Sequence, residues 1–114
     1  LKHRYLKENK VIFEIRKGGQ VIGVSELEFG DPPMGIVHGV LIPTQSYFSH
    51  ADKTGCKLFI SETNEEILCG FIAIEDLSEE LGEPARQVTI LVSSAEDYER
   101  FFKHHSERYE KQFS

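Results

Sequence analysis

The sequence predicts an α+β fold: an antiparallel sheet of about five to six strands packed against a C-terminal amphipathic helix, with one short helix after the third strand. Three observations carry this reading. Short runs of alternating apolar and polar residues recur between residues 11 and 92. Glycines and prolines punctuate them at intervals that suit turns. From Ser94 to Phe113 an aromatic stripe of helical spacing runs without Gly or Pro.

Residues 1–9 are read as a flexible or helical N-terminal extension. The first ten residues are basic and polar and lack the apolar stretch of a signal peptide. Leu1 is not an initiator Met, so the natural start need not be Leu1. The run Val11–Arg16 reads V-I-F-E-I-R and sets Val11, Phe13 and Ile15 on one face of a first strand. Gly18 and Gly19 accept positive φ freely, which suits a hairpin turn. Val21–Phe29 then alternates, with Val21, Gly23, Ser25, Leu27 and Phe29 on one face and Glu26 and Glu28 on the other.

Gly30-Asp31-Pro32-Pro33-Met34-Gly35 breaks regular structure, because two prolines remove donors and fix φ. A cis bond at Asp31–Pro32 or Pro32–Pro33 is one way such a loop turns. Ile36–Ile42 is a third strand. Thr44 is placed to cap a short helix from Gln45 to about Asp52, with Tyr47, Phe48 and Ala51 inward and Gly55 as a left-handed stop. Cys56–Ser61 and Ile67–Ile74 are the next strands, joined at Asn64-Glu65. Leu77–Leu81 is one helical turn, and Gln87–Val92 is the sixth strand.

The last element is the C-terminal helix. Ser93 with Glu96, or Ser94 with Asp97, makes a capping box. Acids fill its first turns, and Arg108 and Lys111 lie near its end, which complements the helix dipole. Tyr98, Phe101, Phe102, His105, Tyr109 and Phe113 form one stripe about 22 Å long.

Composition bounds the function. The chain has 114 residues, 39% of them hydrophobic and 28% charged, which suits one folded domain (residues 1–114) and excludes a disordered or fibrous class. A net charge of −6 argues against nucleic acid and anionic membranes as partners and permits a basic protein partner. The apolar runs are too short to span a bilayer. Two cysteines are too few for a disulfide scaffold, which favours a cytoplasmic setting.

Candidate chemistry is sparse. A two-residue turn at Asn64-Glu65 would set Cys69 opposite Ile60 and Cys56 opposite Ala73, beyond disulfide reach. Both thiols read as small buried apolar groups. His3, His38, His50, His104 and His105 show no metal-ligand spacing, and His104-His105 point about 100° apart on a helix. No catalytic residue, metal site or cofactor follows.

The partner-binding candidates are Asp31 and Met34, on the proline loop, and the acids Glu62, Glu65, Glu66, Glu75, Asp76, Glu79 and Glu80. Together these acids would form a flank attractive to a Lys/Arg-rich surface. The leading expectation is therefore a small acidic non-enzymatic protein-binding module, of the immunity or antitoxin type that neutralises a basic toxin or nuclease. One alternative is a homo-oligomeric structural protein with Tyr47, Phe48, Phe101 and Phe102 at its contact. Another is a small-ligand binder with Tyr98, His105, Tyr109 and Asp31 lining a pocket between sheet and helix.

Overall fold

A computed structural model describes residues 10–113, so the expected extension over residues 1–9 lies outside the described residues. Among the described residues nine strands run in the order β1 (Phe13–Lys17), β2 (Gln20–Ser25), β3 (Phe29–Asp31), β4 (Ile36–Val40), β5 (Ile42–Pro43), β6 (Lys57–Ile60), β7 (Glu66–Ile67), β8 (Cys69–Asp76) and β9 (Arg86–Val92). Helix α1 (Ser78–Leu81) precedes β9, and α2 (Ala95–Phe101) and α3 (Lys103–Gln112) follow it. Short 3-10 turns occupy Pro32–Met34 and Gln45–Ser49.

The α+β class is as expected, but the strands form two antiparallel sheets instead of one. The first has the order β5-β2-β1-β6-β7 and the second β3-β4-β9-β8. Phe13, Ile15, Ile22, Leu58 and Ile67 of the first sheet and Val37, Val88, Ile90 and Val92 of the second bury into one shared core.

The chain changes sheets at short crossings. Ser25 ends β2, its hydroxyl accepts a hydrogen bond from Leu27 N–H at 3.0 Å, and Leu27 takes a left-handed φ of 48°. Val21–Phe29 is therefore not one strand. A register shift between Ile15 and Arg16 also moves the buried face, so that Ile22, not Val21, is fully enclosed. Leu41 separates β4 from β5, buried and bonded through its N–H to Arg86 O at 2.9 Å. Leu68 separates β7 from β8, and Ser93 N–H bonds its carbonyl at 3.0 Å.

That last crossing overturns the expected cysteine register. β6 pairs with β7 as Leu58↔Ile67 and Phe59↔Glu66, around a loop that Asn64 closes at φ 64°. β8 pairs with β9 instead, and Cys69 lies opposite Val92. Both thiols are unpaired and half-buried, and their Sγ atoms donate to Lys53 O and Ile67 O.

The Gly18-Gly19 turn is as expected, with φ of 59° and 81° joining Lys17 to Gln20. The short helix after the third strand is only a 3-10 turn. Thr44 does not cap it, because its hydroxyl donates to Val21 O. Tyr47 is buried there, while Phe48 stays 68% exposed and Ala51 is exposed. Among the described residues no peptide bond is cis, so Pro32 and Pro33 follow trans bonds.

The C-terminal helix is also interrupted. Ser94 caps α2 by accepting from Asp97 N–H at 3.0 Å. Phe102 then leaves helical geometry (φ −129°, ψ 32°) and separates α2 from α3. The break drives Phe102 into the core, where its ring stacks on Phe13 at 5.2 Å. Past it only His105 is buried, and Tyr109 and Phe113 face outward. The expected aromatic stripe thus ends at its middle.

Candidate interaction surface

The second sheet has two unlike faces. Strand residues alternate between faces, so the ladder register assigns each side chain. Gly30, Val37, Gly39, Val88, Ile90, Ile72 and Ile74 face the core. The opposite face carries three rows across the strands. Asp31–Ile36–Leu91–Phe71 forms the first, Phe29–His38–Thr89–Ala73 the second and Val40–Gln87–Glu75 the third.

This outer face is largely apolar and open. Phe29, Val40 and Phe71 are 52%, 53% and 46% exposed. Phe29 stacks on His38 at 5.3 Å toward the β3 edge. Met34, 65% exposed, extends the patch past the end of β4, where it shares a cleft of about 330 Å³ with Pro33, Leu91 and Tyr98. Isolated apolar residues are normal on a surface, and several in adjoining rows make this face the candidate contact area.

The helices stay off this face and close the core from the other side. Gly30 lets them approach: a Cβ there would lie 2.6 Å from His105 Cγ and 2.7 Å from Tyr98 Oη. Tyr98 O–H donates to Ile36 O at 2.9 Å, and burial pushes its phenol up to about 12. His105 Nε2 lies 2.8 Å from Leu27 O, so it donates, and Nδ1 is buried with no hydrogen-bond partner. Burial lowers the pKa of His105, with the charges of His104, Arg108 and His38 acting in the same direction.

The expected site residues separate accordingly. Asp31 and Glu75 stand at opposite corners of the apolar face, and Met34 adjoins it. The other acids do not form one flank. Glu62, Glu65 and Glu66 belong to the β6–β7 hairpin, where Glu65 pairs with Arg100 at 3.0 Å and ties the hairpin to α2. Asp76 ends β8, about 23 Å along that strand from Cys69, and Glu79 and Glu80 lie beyond it. Asp76 is occupied by Ser78 N–H, Tyr47 O–H and Arg86. Its hydrogen bonds from Ser78, with smaller effects of Tyr47 and Arg86, hold its carboxyl at about 2.

The residues of the two alternatives also part company. Tyr47 and Phe102 are core residues, which leaves Phe48 and Phe101 without the other half of their contact. Tyr98 and His105 spend their donors on backbone carbonyls, while Asp31 points to the outer face and Tyr109 lies on the exposed side of α3.

A second cleft, about 470 Å³, lies between Phe13, Val11, Glu26, Glu28, His104, Arg108 and Lys10. Among the described residues no group of three or more His, Cys, Asp or Glu side chains could hold a metal ion, and no helix is long and apolar enough to cross a membrane.

The outer face had one signal in the sequence. Phe71-Ile72-Ala73-Ile74 is apolar on both strand faces, which marks a strand with something to cover on each side. No protein-family model, curated protein or solved structure matches the chain.

Proposed function

We propose that the chain is a non-enzymatic protein-binding module that docks its partner on the outer face of the β3-β4-β9-β8 sheet. The single observation that carries this reading is the row structure of that face: Phe29, Ile36, Val40, Phe71, Ala73 and Leu91 adjoin across four strands, with three large side chains about half exposed. An interface of this kind has an apolar centre and a polar rim. Asp31 and Glu75 supply acid at two corners of the rim, which fits a partner whose own apolar patch is flanked by Lys or Arg.

Within that class, the net charge of −6 suits a basic toxin or nuclease as the protein to be neutralised. A cytoplasmic setting belongs to the same reading and is supported by the two unpaired thiols.

Cross-linking in the source cell, with wild type and with Phe29→Glu, tests the proposal. The expected result is a basic partner linked through residues of β3, β4, β8 or β9. Its capture falls at least tenfold in Phe29→Glu and weakens as salt rises. Equal capture by both proteins, or links confined to α2 and α3, refutes it.

A further inference from the structure

We propose that β8 is a self-pairing edge, at which two copies of the chain join into one continuous eight-stranded sheet. The inference stands independently of what the open face binds.

Three of the four sheet edges are short: β3 has three residues, β5 two and β7 two. β8 has eight, and among the described residues it pairs on one side only, with β9. Natural edges of this length are guarded by Lys, Pro or short strands, because a free row of N–H and C=O groups templates pairing. β8 has no Lys or Pro, and Phe71, Ile72, Ala73 and Ile74 carry no charge.

The hydrogen-bond phase shows which groups are free. Leu77 N–H bonds Ala85 O at 2.8 Å, which continues the Asp76↔Arg86 register. Antiparallel bonding alternates, so Glu75 and Ala73 turn their backbone groups to β9, and Ile74 and Ile72 turn theirs outward.

The strand is self-complementary about Ala73. An antiparallel second copy centred there sets Ala73 opposite Ala73, Ile72 opposite Ile74 and Phe71 opposite Glu75. Ile72 and Ile74 then exchange both backbone bonds, twice over by symmetry. Their half-buried side chains, which pack at the rim of the core, cover one another. Charge placement selects this orientation. The two Glu75 fall at opposite ends, about 13 Å apart along the strands, whereas parallel pairing sets them side by side. Centring on Ile72 would face Ile74 with Gly70, and centring on Ile74 would face Ile72 with Asp76. A second copy is thus the occupant that β8 itself specifies. Each copy contributes the same patch, as two-fold interfaces require.

An edge this short buries less than about 1,200 Å² in total, so the dimer is weak and concentration-dependent. Sedimentation equilibrium is the test. The wild-type mass is expected to rise from 13.0 kDa toward twice that value with concentration. Ala73→Lys and Ala73→Glu each place like charges face to face across the two-fold at a site exposed in the single chain. Each alone is expected to stay monomeric, and their equimolar mixture to recover the wild-type dimer. Phe29→Glu, on the opposite edge, is expected to leave self-association unchanged while it removes the partner of the open face. A wild type that stays at 13.0 kDa at every concentration overturns the proposal. So does a dimer formed by Ala73→Lys alone, or a dimer lost in Phe29→Glu. Amide exchange reads the same edge without substitution. The Ile72 and Ile74 N–H groups are expected to slow with concentration while Ala73 N–H does not, and equal behaviour of all three overturns it.

Discussion

Phe102 and Phe113 lie on the same helical stripe in the sequence, but the fold sends them to opposite environments. Phe102 is 0% exposed and Phe113 is 72% exposed. Phe102 stacks on Phe13 at 5.2 Å and touches Tyr98 and His105 with ring centroids 5.6 and 6.1 Å away. Truncating a buried Phe to Ala costs about 3–5 kcal/mol, the lost transfer energy plus the cavity. The site joins β1, α2 and α3, which cannot all move in to fill the space, so the upper half of that range is expected. A domain of this size has about 5–15 kcal/mol of stability in all. Urea unfolding of Phe102→Ala should therefore show an unfolding free energy lowered by about 4 kcal/mol or more at unchanged m, with a thermal midpoint at least about 16 °C lower. Phe113→Ala should stay within about 0.5 kcal/mol of wild type. Similar losses for the two variants would mean that the helix runs on unbroken past residue 102 and that the interruption is wrong.

Three other expectations use neighbouring features. Gly30→Ala puts a Cβ 2.6 Å from His105 Cγ and 2.7 Å from Tyr98 Oη, so it should destabilise by about 1–3 kcal/mol in urea. A neutral result would place the helices farther from β3. Ser94→Ala removes the acceptor for Asp97 N–H and should cost about 1 kcal/mol in the same assay, with Ser93→Ala near zero. Burial lowers the pKa of His105, so the unfolded chain takes the proton more readily than the folded one. The stabilising effect of neutral His105 is complete above the unfolded value of about 6.5 and is lost as pH falls from there through the lower folded value. Thermal midpoints from about pH 8 to about pH 5, on either side of the ordinary histidine value, should therefore fall more steeply for wild type than for His105→Gln, whose amide can still donate to Leu27 O. Parallel slopes would remove His105 as the cause.

Local chemistry made much of this fold legible. Adjacent glycines at 18 and 19 specify a hairpin wherever the rest of the chain goes, because positive φ at both positions is open to little else. Ser94 with an acid three residues later specifies a helix start for the same local reason. Alternation identified most strands to within two or three residues. It could not say that a single residue, Leu41 or Leu68, moves the chain from one sheet to the other. Such a crossing is fixed by which hydrogen-bond partner lies across space, Arg86 O for Leu41 and Ser93 N–H for Leu68. The split into two sheets therefore lay outside any local signal. So did the register of β8, and with it the location of the acids.

The sequence by itself determined the class of the fold, the Gly18-Gly19 turn, the Ser94 cap and a net negative charge. These follow from propensity, periodicity and composition, which act over a few residues. The tertiary structure alone decided that Phe102 interrupts the helix, because its ring is held by Phe13 from β1, far along the chain. It also decided that Asp31 and Glu75 frame one apolar face while Glu65 and Asp76 are spent on Arg100 and Arg86. A side chain's availability depends on the partner that long-range pairing brings to it, and residue type and spacing carry no record of that partner.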